Sequence, residues 1–300
     1  MDGILAVWKP AGWTSHDVVA KARGLLGTRR IGHAGTLDPD VTGVLPLCAG
    51  RATRVVEYMQ QQPKVYEAVL QLGQATDTED LSGVVIQDDG PVTITLEQVE
   101  RALSLFAGEI EQTPPMYSAV KVNGKRLYEL AREGKVVERK PRKVTIYETQ
   151  LVAAELEQPY PQITFSVTCS AGTYIRTLCV DVGKALGVPA AMARLVRTGS
   201  AGMTREDCLT LEEIAQCKEE GTLAQRLLPA DKALTHMPAY TAEEASVERL
   251  LKGQKVRLDG LSPVPVDGSL CRLYAPNGQF LGIFQPLQDE GMLKPVKVFN

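Results

Sequence analysis

Hydrophobic and polar residues repeat with two different periods along the chain, and the mixture predicts an α+β fold. Residues 65–73 (VYEAVLQLG) alternate apolar with polar side chains, as expected for a strand with one buried face. Residues 95–110 repeat apolar residues every three or four positions behind Thr95 and Gln98, a capping-box pair, and therefore predict a helix. The same patterns predict helices over 15–27 (capped at Ser15), 126–133, 176–187 and 240–254, a buried segment and then a helix over 44–60, and strands over 144–156 and 162–175. Strands and helices follow one another in mixed order, which indicates an antiparallel or mixed sheet with helices packed on it.

The pattern changes near residue 235 and predicts a second, smaller unit. The helix expected over 240–254 has Thr241 and Glu244 as its capping box, and short strands follow around residues 256, 273, 280 and 296. We therefore expect an α+β domain over residues 1–233 and a small β-barrel-like domain over residues 234–300.

Charge is distributed unevenly along the chain. The whole sequence carries a formal net charge of −3. Residues 121–143 nevertheless contain nine basic and three acidic side chains, a net charge of +6, within a proline- and glycine-punctuated segment that reads as an exposed insertion over about 113–143. Four more basic residues come just before the Gly-rich turn of residues 32–46, namely Lys21, Arg23, Arg29 and Arg30. A solvated face is one interpretation, and a polyanionic ligand held by phosphate contacts is the other.

Several classes of protein are disfavoured by composition. The six cysteines form no CxxC pair and the three histidines are dispersed, so we expect no metal site, and we expect the thiols to be buried or incidental. No run of about 18 apolar residues is found and no signal peptide is evident, so we expect a cytoplasmic protein without a membrane span.

Residues 32–46 (GHAGTLDPDVTGVLP) form the most constrained stretch of the chain. Pro39 disfavours a helical conformation at Asp38, while the glycines permit a tight turn. Such a turn can hold the Asp38 carboxylate towards a cleft as a nucleophile, a general base or a metal ligand. On spacing alone, an ordinary Asp-Pro turn is the alternative.

A catalytic carboxylate that is buried needs a cation to orient it, and SAGTYIRT offers one. If residues 162–175 continue as a strand, Tyr174 and Arg176 project from the same face. With Tyr66 on another strand, they would supply one guanidinium and two aromatic rings for a planar base. Each residue alone is also typical of a core or a surface, and the spacing does not show that the three assemble around Asp38.

Four motifs together resemble the bacterial tRNA pseudouridine synthase B family, whose members modify the T-loop uridine at position 55 of tRNA. The motifs are WKPAGWTSHD, GHAGTLDP, KVYEAVLQLGQATDTED and GTYIRTL, and they occur in order within residues 3–235. The tail is similar to the family's PUA-type RNA-binding module. The resemblance implies an isomerase that breaks the C1′–N1 bond of uridine and rejoins the uracil through C5 without metal or cofactor. It also implies tRNA, through its T-arm, as the partner.

The resemblance assigns roles to individual residues of this sequence. Asp38 matches the essential aspartate, a nucleophile or base. Tyr66 matches the tyrosine that stacks on the target base, with removal of the C5 proton as its second implied role. Arg176 matches the basic partner of the aspartate. Residues 121–143 fall where the family carries an RNA-clamping insertion. The substrate-binding residues expected in this way are Lys9, Gly32, His33, Tyr174, Lys121, Lys125, Arg126 and Arg142.

Two rival interpretations remain at this level. A non-catalytic RNA-binding or RNA-folding protein would use the basic segment and the tail equally well. A carboxylate-dependent hydrolase would need a second carboxylate, for which Asp40 and Asp77 are candidates by proximity only. No feature demands a second protein chain, so we expect a monomer.

Overall fold

The computed structural model describes residues 1–122 and 124–300, and confirms a mixed α+β fold. The helices of the larger unit are α1 (Ser15–Leu26), α2 (Val56–Gln61), α3 (Leu96–Ser104), α4 (Leu127–Arg132), α5 (Ile175–Leu186) and α6 (Leu211–Glu219). Its strands are β1 (Gly3–Lys9), β2 (Ile31–His33), β3 (Thr42–Ala49), β4 (Lys64–Leu72), β5 (Gln74–Thr76), β6 (Val85–Asp88), β7 (Gly108–Gln112), β8 (Lys121–Val122), β9 (Lys125–Arg126), β10 (Arg142–Glu155), β11 (Gln162–Cys169) and β12 (Ala190–Ser200). The tail contains β13 (Ala239–Ala242), α7 (Glu244–Leu251), β14 (Val256–Arg257), β15 (Leu261–Ser262), β16 (Cys271–Tyr274), β17 (Phe280–Leu287) and β18 (Met292–Val298).

One large sheet organises the first 200 residues. Its strand order is β1-β3-β12-β4-β11-β10-β7, with β2 added to β3, and every pairing is antiparallel except that of β12 with β3. The inward residues of β4 alternate as the sequence predicts and pack against α3 and α5. Helices α1 and α6 cover one face of β1 and β3. The sheet is therefore mixed, and it buries apolar surface on both faces at its β1–β3 end.

Of the three helix N-caps predicted from the sequence, one is confirmed. Helix α3 begins with the expected capping box, in which Thr95 accepts from the Gln98 backbone N–H and Gln98 accepts from that of Thr95. The prediction that Ser15 caps α1 was wrong by one residue, because Thr14 caps the helix together with Asp17. The Ser15 hydroxyl instead accepts from the Leu37 N–H at 2.9 Å. It thereby ties α1 to the turn that carries Asp38.

The prediction of a strand through Ile175 was also wrong. Strand β11 ends at Cys169, a turn with Gly172 at φ +84° follows, and Tyr174 is the N-cap residue of α5. The buried Gln112 side chain accepts from the Tyr174 N–H and donates to the Tyr174 carbonyl, at 2.9 and 3.1 Å. This pair of bonds fixes the turn, so Tyr174 and Arg176 lie at a helix start and not on one strand face.

The tail forms a separate six-stranded sheet that is nearly closed into a barrel, with strand order β14-β18-β17-β16-β13-β15. Thr241 does not cap a helix, contrary to the prediction, because it lies in β13 and pairs with both β15 and β16. Helix α7 consequently starts at Glu244 behind Glu243. The four short strands expected from the pattern are all present.

The barrel packs against the segment that leads into α2. Phe299 and Ile283 join Val55 and Met59 in one apolar cluster. The Arg54 guanidinium lies 5.9 Å from the centre of the Phe299 ring. The Lys297 Nζ lies 2.8 Å from a Glu57 carboxylate oxygen. The tail thus supports the short helix whose last turn borders the candidate active site.

Candidate active site

A cleft of about 380 Å³ opens where the Asp38 turn, the start of β4 and the start of α5 meet. A cavity of this size suits a small molecule or one exposed nucleoside. Its lining includes three residues expected to be catalytic and one expected to bind substrate, namely Asp38, Tyr66, Arg176 and Tyr174. The structure therefore brings together residues that are up to 138 positions apart in the sequence.

Asp38 and Arg176 form an ion pair at the mouth of this cleft. The Arg176 Nη2 lies 3.0 Å from Asp38 Oδ2. The Arg176 side chain is 6% exposed and that of Asp38 is 48% exposed, so the cation is the buried member of the pair. Asp38 can therefore reach a ligand while one of its oxygens stays on the guanidinium.

Backbone carbonyls hold the guanidinium in place. Arg176 donates from Nη1 to the Thr78 carbonyl at 2.9 Å and from Nη2 to the Tyr117 carbonyl at 2.8 Å. The Nε also lies 3.9 Å from Asp80 Oδ2. The second carboxylate beside the pair is thus Asp80, whereas neither Asp40 nor Asp77 lines the cleft. A hydrolase with one of those two as its acid has no support in this geometry.

Lys9 supports the Asp38 turn through buried hydrogen bonds. Its side chain is fully buried, and Nζ donates to the carbonyls of Pro10, Trp13 and Pro39, the last at 2.8 Å. Burial lowers the pKa of Lys9 to about 8, while the nearby Asp40 and Asp38 charges oppose this change. Lys9 does not line the cleft, so its placement fits support of the turn and not direct contact with a ligand.

Tyr66 lies on the floor of the cleft beside an arginine that sequence reasoning missed. Burial raises the pKa of Tyr66, and the neighbouring Arg197 charge opposes that rise. Arg197 is 1% exposed and donates from Nε to the Val44 carbonyl at 2.7 Å and from Nη2 to the Gly35 carbonyl at 3.1 Å. The residues around Arg197 in the sequence are equally typical of an exposed arginine on a strand, so no local signal marks Arg197 as buried.

Two more polar residues of the cleft were not predicted. Lys64 donates to the Gln62 carbonyl at 2.7 Å and also to the Gln60 carbonyl, and burial lowers its pKa to about 8. Ser118 is 5% exposed, and within the described residues its hydroxyl has no hydrogen-bond partner. A buried hydroxyl that faces a cleft without a partner is available to a bound ligand.

His33 and Gly32 lie beside the cleft and not in its lining. Both belong to β2, where Gly32 pairs with Cys48. The His33 ring packs edge-on against His16 with centroids 5.8 Å apart, and burial lowers its pKa. Its Nδ1 is buried and has no protein partner among the described residues. The neutral ring of His33 can therefore contact a larger ligand that extends past the Asp38 turn.

The basic insertion begins at the cleft and extends away from it. Tyr117 binds Arg176 through its carbonyl, and Ser118 and Ala119 line the cleft. Beyond them, β8, β9 and α4 carry exposed cations, of which Lys125 pairs with Glu133 at 3.0 Å. The four predicted binding residues Lys121, Lys125, Arg126 and Arg142 are all exposed. None of them lines the cleft, so they can only contact parts of a ligand that lie outside it.

Other chemistry expected from the sequence can be located as well. All six cysteines are buried and unpaired, and burial raises the pKa of Cys48 to about 12. No group of three or more histidine, cysteine or acidic side chains within residues 1–122 and 124–300 is placed to hold a metal ion. Across the same residues, no helix combines the length and the apolarity needed to cross a bilayer.

The fold and this cleft define a protein of the pseudouridine synthase type. The chain is similar to a solved H/ACA RNP bound to a substrate RNA containing 2′-deoxyuridine, with 25% identity, a TM-score of 0.76, and coverage of 99% of this chain and 85% of the other. It is also similar to a chain of a Cbf5-Nop10-Gar1 complex, with 27% identity, a TM-score of 0.75, and coverage of 99% and 83%.

Sequence comparison then identifies the family. Residues 23–175 match the N-terminal domain of TruB family pseudouridylate synthases, residues 176–235 match a tRNA pseudouridylate synthase B C-terminal domain, and residues 238–299 match a pseudouridine synthase II TruB C-terminal model. A tRNA pseudouridine synthase B of Geobacillus thermodenitrificans is 45% identical over 100% of both chains. That of Geobacillus kaustophilus is 47% identical over 93% of this chain and 98% of its own. The chain belongs to the TruB family, and the resemblance seen in its motifs is confirmed.

Proposed function

We propose that this protein converts the T-loop uridine at position 55 of tRNA to pseudouridine. The observation that carries the proposal is the half-exposed Asp38 carboxylate, held by a buried Arg176 at 3.0 Å beside the buried ring of Tyr66. The names of the family relatives support the same reaction. The isomerisation breaks C1′–N1 and forms C1′–C5; the C5 proton leaves and N1 gains a proton, so no oxidant or reductant is needed.

Each residue of the cleft has a role in this proposal. Asp38 acts on the ribose or the uracil, because its half-exposed carboxylate lines the cleft while Oδ2 is bound by Arg176. Tyr66 stacks on the base. Because burial raises the pKa of Tyr66, its phenol stays protonated at neutral pH, which favours stacking over removal of the C5 proton. Tyr174 lines the cleft at the start of α5.

A uridine within a folded loop must leave its stack before it can enter this cleft. Flipping costs a few kcal/mol, which stacking and phosphate contacts can offset. We assign phosphate contacts to the exposed cations Lys121, Lys125, Arg126 and Arg142, and contact with the opened loop to His33 and the adjacent Gly32. We propose that residues 1–233 form the catalytic domain and that the barrel of residues 234–300 binds RNA as a PUA-type module. A tRNA substrate supports a cytoplasmic location. A single chain supplies all of these groups, which supports a monomer.

The test is to map pseudouridine by carbodiimide adduct formation and primer extension after incubation of an unmodified tRNA transcript with the protein. We expect a new stop at the T-loop uridine, and we expect Asp38→Asn to abolish it while tRNA binding is largely retained. Asp40→Asn is the matched control, because Asp40 is exposed on the same turn and does not line the cleft. Tight, salt-sensitive tRNA binding without any stop would favour the non-catalytic RNA-binding interpretation.

A further inference from the structure

The turn between β5 and β6 contacts the first turn of α5 at two successive residues. The Thr78 carbonyl accepts from Arg176 Nη1 at 2.9 Å, and the Glu79 Oε2 accepts from the Thr177 hydroxyl at 2.6 Å. Arg176 and Thr177 are neighbours in the helix, as Thr78 and Glu79 are in the turn. The second contact therefore fixes the spacing at which the first can form.

Glu79 adopts a backbone conformation that residues other than glycine rarely adopt. Its φ is +66°, in the left-handed region, which is unfavourable for a residue that has a Cβ atom. The Glu79 carbonyl accepts from the Met192 N–H at 3.0 Å, and the Leu81 N–H donates to the Met192 carbonyl at 3.2 Å. Strand β12 thus holds the turn from one side and Thr177 from the other. A conformation of this kind persists only where its surroundings impose it.

We propose that Glu79 and Thr177 are a positioning pair that sets the Thr78 carbonyl against Arg176, and so orients the guanidinium towards Asp38. The inference rests on the proposed function in one respect, since it concerns the rate of that reaction. Neither residue lines the catalytic cleft. They lie in a neighbouring groove of about 370 Å³ together with Glu111, Arg139 and Lys184, so they act through Arg176 and not on the substrate.

Burial and the charges around the pair act in opposite directions on the Glu79 carboxylate. Burial raises the pKa of Glu79, and this rise is opposed by the Thr177 hydrogen bond and by the Arg176 and Arg139 charges, while Asp181 adds to it. Thr177 is itself 6% exposed, so its hydroxyl has little access to water. A buried hydroxyl that lost this acceptor would be left without compensation, and the turn would shift to find another partner.

The first test compares Thr177→Val with Thr177→Ser. Valine keeps the shape and loses the hydroxyl, whereas serine keeps the hydroxyl. We expect the single-turnover rate constant for pseudouridine formation at saturating protein to fall by about 10- to 100-fold in Thr177→Val, because small displacements of aligned groups cost that much. We expect Thr177→Ser to stay within about threefold of the wild type, with tRNA Kd unchanged in both. A wild-type rate in Thr177→Val would overturn the proposal.

The second test separates positioning from simple structural support. Glu79→Gly removes the acceptor of Thr177 but also relieves the strained φ, so the two effects should offset one another and its Tm should stay close to that of the wild type. We expect its rate to fall as in Thr177→Val, and we expect Glu79→Gln, which keeps an acceptor oxygen, to recover most of the loss. If Glu79→Gly is stable and fully active, the pair is only a structural contact and the proposal is wrong.

A readout without RNA keeps this inference distinct from the proposed function. In ¹⁵N-labelled protein, the guanidinium N–H groups of Arg176 should exchange slowly with solvent, since they are buried and bonded. We expect exchange to accelerate in Thr177→Val and to stay slow in Thr177→Ser. If the wild type forms no pseudouridine, the proposed function fails, and the exchange rates alone decide the positioning role: unchanged exchange in Thr177→Val overturns it.

Discussion

Replacing Arg176 by lysine asks whether the cleft needs a planar fork or only a positive charge. The guanidinium serves three acceptors from its two terminal nitrogens, namely the carbonyls of Thr78 and Tyr117 and the carboxylate of Asp38. A lysine ammonium is a single point of charge on a flexible stem and cannot occupy both ends of that fork. The substitution therefore keeps the charge and removes at least one of these bonds.

The expected size of the effect follows from the bond that is lost. Arg176 and Asp38 form an ion pair, so losing this contact acts on the rate constant mainly through displacement of the Asp38 carboxylate, which can cost about 10- to 100-fold. If the ammonium instead keeps Asp38, one or both backbone carbonyls lose their donor. The cost then appears in the free energy of unfolding, at about 1–3 kcal/mol for each buried acceptor.

Single-turnover pseudouridine formation and urea unfolding should be measured on the same preparations of Arg176→Lys. The matched control is Arg194→Lys on β12, because Arg194 is exposed and forms only a surface contact with Glu67 at 3.3 Å. We expect the control to match the wild type in both assays. A rate within about threefold of the wild type, together with unchanged stability, would refute the claim that the fork geometry organises the site.

Three further expectations can be checked on the same protein. Neutralising four exposed cations of the insertion, Lys121, Arg126, Lys140 and Arg142, should weaken tRNA binding with little change in the chemical step. The plot of log K against log salt should become less steep by up to about 3, since each phosphate contact contributes about 0.7–0.9 to the magnitude of its slope. Filter binding across salt concentrations measures the slope, and an unchanged slope contradicts the expectation. Ser118→Ala should lower the single-turnover rate or the tRNA affinity without lowering Tm, because its buried hydroxyl has no partner among the described residues; equal kinetics would show that the hydroxyl does not bind the substrate. Burial lowers the pKa of Lys64 to about 8 from 10.5, so between these values the unfolded chain binds more protons and stability rises with pH; urea unfolding should show the free energy of unfolding of the wild type increasing relative to Lys64→Met over that interval, and a difference that stays flat or falls would contradict burial as the cause of the lowered pKa.

The features that the sequence predicts well are those fixed by near neighbours. The alternation of residues 65–73 specifies which face of β4 is buried, and Tyr66 follows that alternation into the core. The capping box of Thr95 and Gln98 closes within four residues and needs no distant partner. Barrel strands could be placed approximately for the same reason, because each is short and ends in a turn.

The predictions that failed depended on distant partners. Tyr174 caps a helix because Gln112, on a strand 62 positions earlier, binds its backbone on both sides. Thr241 lies in a strand because β15 and β16 pair with it, although its local sequence favours a capping box. Ser15 uses its hydroxyl on Leu37, 22 residues away, and leaves the cap to Thr14. Periodicity contains no information about such contacts, since tertiary pairing overrides local propensity.

The candidate site shows the same limit most clearly in its buried cations. Lys9, Lys64, Arg176 and Arg197 all donate to main-chain carbonyls around the cleft, and each would pass for a surface residue in a chain of net charge −3. Carbonyl oxygens satisfy the donors of these cations without neutralising their charge, whereas a carboxylate partner would do both. Of these four cations, Arg176 is also paired with carboxylates, namely Asp38 at 3.0 Å and Asp80 at 3.9 Å. The cleft therefore retains positive charge although the chain as a whole is acidic. That arrangement attracts the phosphates that flank a nucleotide while it keeps Asp38 oriented, and it arises only when residues from four separate segments are brought together by the fold.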